Sequence, residues 1–223
     1  FRNVTGVQTC ALPISAWWLD QADIVFDSRE RAFLGYRSLG DPVAAARVAT
    51  WIAWDSAAFR GEEGVANGWL QRARRLLEGQ PESPEHAFLA LRASAFALFD
   101  DGDPDRGEAL ATDGIAIAQR LHSLDYEMVG RALSGFARVT VGRVAEGLRE
   151  IDEVSAAILG GELTDRLLIA LAGCYLIGAC DRARENGRAV QWCERVKAHS
   201  RRWGLKPLFA VCRTQYGSVC MWR

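Results

Sequence analysis

The amino-acid sequence predicts an all-α array of antiparallel helix hairpins, and three observations lead to this fold class. From Ala16 onward the chain falls into helical segments of about 18 residues, without the alternation of apolar and polar residues that is typical of strands. Short breaks rich in Gly, Asp and Pro separate these segments, and similar segments return at a nearly constant distance. With 49% apolar residues among 223, the chain can fill a continuous core.

The breaks carry the signals that start and stop helices. Asp41-Pro42, Ser83-Pro84 and Asp103-Pro104 each place an N-capping side chain before a proline, whose fixed φ suits the first helical position. Glycines that follow helical segments predict their ends, because glycine adopts the left-handed conformation most readily. They are Gly79, Gly160-Gly161 and Gly204. The signals and the pattern predict helix starts near residues 42, 83, 125, 164 and 206, and a second series near 63, 104, 145 and 187.

Both series of helix starts repeat with a period of about 41 residues. A small residue followed by a large apolar one recurs at similar distances, and such a pair lets two helix backbones approach while the bulky neighbour fills the adjoining space. These pairs are Gly68-Trp69, Ala109-Leu110, Gly147-Leu148 and Ala189-Val190 in the second series, and Ala95-Phe96, Gly135-Phe136 and Cys174-Tyr175 in the first. Because a tetratricopeptide repeat has about 34 residues, we predict a tetratricopeptide-like α-solenoid with lengthened helices over residues 16–223.

Composition and charge favour a cytoplasmic chain without a nucleic-acid or membrane partner of its own. The formal net charge is -1. The longest apolar run, Leu167 to Cys180, is shorter than the roughly 20 residues that cross a bilayer. Residues 181–223 contain ten Lys and Arg against three Asp and Glu. This basic segment is either the solvated face of a helix pair or a docking surface for an acidic partner.

The sequence lacks the patterns that carry catalysis or metal binding. The six cysteines form no CxxC pair and lie mostly among apolar helical residues, which indicates reduced core residues. In the acidic loop Asp100–Glu108, calcium-loop spacing would put Arg106 where glycine is required. None of the three histidines has a ligand-type neighbour at helical spacing, and no phosphate-binding or nucleophile motif occurs. We therefore expect no catalytic residue, no metal, no cofactor and no enzymatic activity.

The helix predicted over Pro42–Phe59 contains the candidate binding residues. Arg47, Trp51 and Trp54 share one face, where two aromatic rings beside a guanidinium can bind a partner by stacking and cation-π contact. The opposite face consists of small residues suited to close packing: Ala45, Ala46, Ala49, Ala53, Ser56 and Ala57. The alternative is that the two tryptophans belong to the ordinary core beneath the next hairpin.

Three stretches resemble the helical-repeat region of bacterial LuxR-type helix-turn-helix transcriptional regulators. They are RVATWIAWDSAAFRGEEGVANGWLQRARRLLEG, YEMVGRALSGFARVTVGRVAEGLREID and AVQWCERVKAHSRRWGLKPLFAVCRTQYGSVCMWR. The resemblance covers essentially all of residues 16–223. It implies a sensory or oligomerisation arm that binds a protein partner, a small-molecule effector or its own effector domain, with DNA bound only by a helix-turn-helix domain that this chain lacks.

Two further hypotheses accompany this resemblance. Similar repeats also accompany nucleotide cyclases and signalling ATPases, so the chain could be the regulatory arm of such an enzyme. A stand-alone enzyme is the third hypothesis, and it would require a cleft with convergent ionisable groups. Because the final segment, PLFAVCRTQYGSVCMWR, is still apolar and periodic, we expect the intact protein to continue beyond Arg223.

Residues 4–14 have a separate resemblance. The stretch VTGVQTCALPI matches, in all eleven residues, the in-frame translation of a common sequencing-library adapter. It shows no helical or strand period that later segments repeat. We therefore interpret residues 1–15 as adapter-derived and expect them to be loosely attached, with the natural reading frame starting near Ala16.

Overall fold

A computed structural model describes residues 13–17, 19–203, 217 and 221. The described part of the chain contains helices and no strand, which confirms the all-α fold class. Residues 13–17 are helical and precede the longer helices. Those are α1 Ala22–Ser38, α2 Pro42–Arg60, α3 Glu63–Leu77, α4 Pro84–Phe99, α5 Pro104–Arg120, α6 Leu124–Thr140, α7 Val144–Gly160, α8 Arg166–Arg182 and α9 Asn186–Trp203.

The helices begin where local signals predicted them. The starts of α2 to α9 lie within two residues of the positions predicted from the sequence. Asp41 caps α2 by accepting a hydrogen bond from the backbone N–H of Ala44 at 2.9 Å, and Asp103 caps α5 in the same way. Gly161 ends α7 in the left-handed conformation, with φ of 73°. The predicted stop at Gly204 and the start near residue 206 lie outside the described residues.

The chain divides into two compact units, Phe1–Arg92 and Ala93–Arg223, and the division falls within α4. In the first unit, α2 packs against both α1 and α3. In the second unit, α6 packs against α5, α7 and α8, and α8 also contacts α7 and α9. Each unit therefore has a central helix that is buried by neighbours on several sides.

From α3 onward, a buried small residue occupies the fourth position of every second helix. These residues are Ala66 in α3, Gly107 in α5, Gly147 in α7 and Ala189 in α9. A second buried residue follows four positions later in each helix, at Leu70, Ala111, Ile151 and Cys193. The small-large pairs predicted at Gly68-Trp69 and Ala109-Leu110 are therefore out of register, because Gly68 and Ala109 are exposed. Two residues of offset turn a side chain by about 200°, which moves it to the solvent face.

Gly135 and Gly147 confirm the expected role of small residues in the second unit. A Cβ added to Gly147 would lie 2.5 Å from the carbonyl oxygen of Gly135, and one added to Gly135 would lie 2.9 Å from the carbonyl oxygen of Gly147. The backbones of α6 and α7 thus approach each other so closely that neither position accommodates a side chain.

The adapter-like segment lies mostly outside the described residues. Of residues 1–15, only Pro13, Ile14 and Ser15 are described. Pro13 is buried, whereas Ile14 is 38% exposed. The interpretation of residues 1–15 as foreign to the fold stays a prediction.

Alanine substitutions at two glycines test the register of the helix contacts. We expect Gly147→Ala to lower the free energy of unfolding by about 1–3 kcal/mol, because the added methyl group would overlap backbone atoms of α6. A Cβ added at Gly68 has no atom within 4 Å, so Gly68→Ala should instead raise the free energy of unfolding by about 0.5–1 kcal/mol through better helix propensity. Urea unfolding monitored by circular dichroism measures both. Destabilisation of both variants to the same extent would contradict the register described above.

Candidate binding face on helix α2

The three predicted binding residues lie together on α2, and each contacts a residue of α4 within the first unit. The guanidinium of Arg47 forms a salt bridge with the carboxylate of Glu85. The ring centroids of Trp51 and Phe88 are 4.9 Å apart, with the planes tilted by 42°. These two contacts, together with that of Trp54 described next, form the α2–α4 contact line.

Trp54 completes the contact line through a cation-π interaction. The guanidinium carbon of Arg92 lies 3.9 Å from the centroid of the Trp54 ring. Both tryptophans are half-buried, whereas the side chain of Arg47 is 51% exposed. The face therefore has an exposed guanidinium at one end and partly accessible rings along its length.

Helical periodicity explains why the three contacts align. Arg47, Trp51 and Trp54 are separated by one turn each on α2, and their partners on α4 follow the same spacing. The partners ascend together along both helices, so this stretch of α4 runs parallel to α2. A parallel arrangement of alternate helices is what consecutive antiparallel hairpins produce.

A buried ion pair joins α1 to the candidate face. The Nε atom of Arg29 lies 3.1 Å from Oδ2 of Asp55, and the two side chains are only 6% and 0% exposed. The guanidinium carbon of Arg29 also lies 4.8 Å from the centroid of the Trp51 ring. Arg29 thus contacts both a carboxylate and an aromatic ring on α2.

Sequence reasoning missed Arg29, Asp55 and Arg92. Asp55 is the only acidic residue of α2, whose residues are mostly apolar, and a carboxylate needs a partner when it is buried. That single carboxylate was the signal available in the sequence. The identity of its partner was not, because Arg29 precedes Asp55 by 26 residues.

Burial controls the protonation of Asp55. Removal from water raises the pKa of Asp55 from its ordinary value of 3.8 to about 6, although the nearby charges of Arg29 and Arg92 and the hydrogen bond from Arg29 act in the opposite direction. The second carboxylate oxygen, Oδ1, has no hydrogen-bond partner among the described residues. The charge of the cluster beneath the tryptophans therefore changes near pH 6.

A second charged cluster ties three helices together in the second unit. Glu108 of α5 lies 2.8 Å from Arg138 of α6, which in turn lies 3.1 Å from Glu150 of α7. Glu150 also contacts Arg131 at 3.1 Å. Each of these four side chains is between 17% and 25% exposed. Because every charge is paired with another across helices, we assign this network to the stability of the helix packing.

The network also shifts the pKa values of its members. Burial tends to raise the pKa of Glu108, but hydrogen bonds from Arg138 and Arg143 outweigh it and hold this pKa below its usual value. The hydrogen bond to Glu108 is the main cause that raises the pKa of Arg138. The charged forms of both residues are thus favoured in the folded state.

The described part of the chain has neither a metal-binding cluster nor a membrane-spanning helix. No group of three or more His, Cys, Asp and Glu side chains there could hold a metal ion. No helix in that part is both long and apolar enough to cross a membrane. Cys180 and Cys193 are buried, and burial raises the pKa of the Cys180 thiol to about 12. That thiol stays protonated at neutral pH.

No protein-family model matches the chain, and no curated protein matches it. The resemblance to LuxR-type regulators stays a prediction from the repeat sequence.

The pH dependence of stability tests the state of Asp55. Because its pKa is higher in the folded chain than in the unfolded chain, its contribution to stability is greatest below pH 4 and is lost as the pH rises through 6. Between pH 4 and pH 7, the free energy of unfolding of the wild type should fall by about 2–3 kcal/mol relative to that of Asp55→Asn. Urea unfolding at several pH values measures this difference.

Asp27→Asn is the matched control for this measurement. Asp27 is exposed on α1 and pairs with Arg31. Its removal should leave the pH profile close to that of the wild type. Parallel profiles for the wild type and Asp55→Asn would contradict a raised pKa at this site.

Glu150→Gln tests the network on α5, α6 and α7. The substitution removes the charge that joins Arg131 to Arg138, so we expect it to lower the free energy of unfolding by about 1–2 kcal/mol, and by less in 1 M NaCl. Glu146→Gln is the control, because Glu146 is 47% exposed and lies 3.8 Å from Arg143. Equal effects of the two substitutions would argue against a stabilising role of the network.

Proposed function

We propose that the chain is a non-catalytic interaction module, a tetratricopeptide-like α-solenoid that belongs to a LuxR-type transcriptional regulator. In this proposal, the chain binds a protein partner, its own effector domain or a small-molecule effector in the cytoplasm. DNA is bound by a helix-turn-helix domain outside residues 16–223. The α2–α4 contact line is the observation that carries the proposal.

The contact line supports a repeat architecture because it joins alternate helices in parallel. A related contact occurs in the second unit, where Asp125 at the start of α6 accepts hydrogen bonds from Thr164 and Asp165 just before α8. The side chain of Phe99 on α4 also packs against Phe136 of α6, with ring centroids 4.8 Å apart. Contacts between alternate helices are expected when each hairpin buries its apolar face on the next.

The recurrence of small buried residues supports the same architecture. Ala66, Gly107, Gly147 and Ala189 occupy the same position in their helices and are separated by 40 to 42 residues. A repeat unit of two helices requires one such contact in each hairpin. A period of about 41 residues is therefore part of the proposal.

The chemistry of the α2 face supports binding. Aromatic rings and arginine are enriched where interfaces derive most of their energy. Arg29 and Arg92 hold the tryptophan rings in place, so little side-chain entropy would be lost on binding. The exposed half of Arg47 can pair with a carboxylate of the partner.

Recovery of the gene that contains residues 16–223 tests the parent family. A helix-turn-helix domain encoded downstream of the repeats would support the proposal. A nucleotide cyclase or a P-loop ATPase domain in the same reading frame would instead support the alternative of an enzyme's regulatory arm. The same sequence would show which residues precede Ala16.

Substitutions on α2 test the binding face, with the recovered effector domain as the partner. Arg47→Gln removes the cation that pairs with the buried carboxylate of Glu85, so it should lower the free energy of unfolding by about 1–3 kcal/mol, while affinity falls about tenfold. Trp51→Ala should lower both affinity and stability, the latter by about 2–3 kcal/mol. Isothermal titration calorimetry and thermal unfolding measure the two effects.

Arg31→Gln is the matched control, because Arg31 is exposed on α1 and outside the face. It should leave affinity unchanged. Unchanged affinity of Trp51→Ala, together with reduced stability, would show that the tryptophans are only core residues.

A further inference from the structure

A groove lined by three arginines lies between α1 and α3 in the first unit. Its volume is about 450 Å³, and it is open to solvent. We name it the arginine groove and define it by its lining residues: Phe33, Arg37, Arg72, Arg75 and Leu76. None of the residues of the α2–α4 contact line belongs to it.

Helical spacing places the arginines in the groove. Phe33 and Arg37 are one turn apart on α1, so they share a face. Arg72, Arg75 and Leu76 are three and four residues apart on α3 and form a second such face. The two faces supply opposite walls.

An aromatic pair positions one of the three guanidinium groups. Phe33 of α1 and Trp69 of α3 pack edge to face, with ring centroids 5.0 Å apart. The guanidinium carbon of Arg72 lies 4.8 Å from the Phe33 centroid and 4.4 Å from the Trp69 centroid. Contact with two rings holds the Arg72 head group in place without neutralising its charge.

The positive charge of the groove is not balanced by the residues that form it. The lining contains three arginines and no carboxylate. Within the described part of the chain, no ion pair within 4.0 Å involves Arg37, Arg72 or Arg75. In contrast, Arg31, which lies on α1 like Arg37, pairs with Asp27. Three like charges around one groove repel one another, and a bound anion would remove that repulsion.

We propose that the arginine groove binds a compact phosphate-bearing polyanion with at least three negative charges, such as the diphosphate group of a small organic ligand. A planar guanidinium donates paired hydrogen bonds that match phosphate oxygens. The volume lies in the range of small-ligand sites, roughly 300–1,000 Å³. An acidic peptide would spread its charges over a longer surface than the groove offers.

This site goes beyond the proposed interaction module. The groove lies on α1 and α3. The proposal for it does not depend on which effector domain accompanies the repeats. If the α2 face failed its test, the groove would still be tested separately by the following experiment.

Isothermal titration of the full 223-residue chain with sodium pyrophosphate tests the proposal. We expect saturable binding of one pyrophosphate per chain that weakens as NaCl is raised from 0.05 to 0.15 M. Citrate carries a comparable charge, but each carboxylate offers two oxygens where a terminal phosphate offers three, so fewer guanidinium hydrogen bonds form and citrate should bind more weakly. A hexaglutamate peptide spreads its greater charge over a longer chain and should also bind more weakly.

Neutral substitutions of the two arginines without ring contacts identify the site. Arg37→Gln and Arg75→Gln should each weaken pyrophosphate binding about tenfold or more while leaving the far-ultraviolet circular dichroism unchanged, because both side chains are exposed. Arg74→Gln is the matched control. Arg74 is adjacent to Arg75 but outside the groove lining, and its guanidinium donates to Gln71 at 2.8 Å. It should change affinity by less than about twofold.

Three outcomes would overturn the proposal. The first is the absence of saturable pyrophosphate binding at low salt. The second is an equal loss of affinity in Arg74→Gln and Arg75→Gln, which would indicate general attraction to a basic surface. The third is binding of citrate or hexaglutamate as tight as that of pyrophosphate, which would show that the groove does not select phosphate over carboxylates or an acidic peptide.

Discussion

Close approach of helix backbones at small residues is the constraint on which the packing depends. In the second unit, the contact of Gly135 with Gly147 leaves no room for a side chain at either of these two positions. At Gly107 a side chain fills the space instead, because a Cβ there would lie 2.5 Å from Cγ of Leu98, and the Gly107 carbonyl accepts a hydrogen bond from Ser94 at 2.7 Å. Helices at such short separation gain dispersion contacts along their whole length.

Short separations also explain why ion pairs form between helices. When backbones are close, a long side chain such as that of Arg138 reaches carboxylates on both neighbouring helices, and it pairs with Glu108 and Glu150. In the first unit, Arg29 reaches Asp55 through the packed interior. The desolvation of these charges is offset only where partners are near, and the raised pKa of Asp55 shows that the offset at this carboxylate is incomplete.

The two candidate binding surfaces of the first unit use arginine differently. On the α2 face, Arg29 and Arg92 each contact one tryptophan ring, and Glu85 pairs with Arg47. In the arginine groove, the rings support Arg72, and the lining contains no carboxylate. The first arrangement favours a preformed aromatic surface, whereas the second favours an anion. Arginine serves both because its planar head group stacks on rings and also donates several hydrogen bonds.

The sequence by itself determined the fold class, the starts of α2 to α9 and the placement of Arg47, Trp51 and Trp54 on one face. These properties depend on signals within a few residues, such as the Asp41 cap before Pro42, and on the periodicity of a single helix.

Only the tertiary structure decided which helix faces meet. The structure shows that Ala66, and not Gly68, is the buried small residue of α3. It also shows that Arg29 pairs with Asp55, and that Arg37 lines the arginine groove together with residues of α3. A shift of one residue turns a helical side chain by about 100°, so such contacts depend on the rotation and separation of whole helices. Those quantities are set by the packing of residues far apart in the chain, and no local pattern records them.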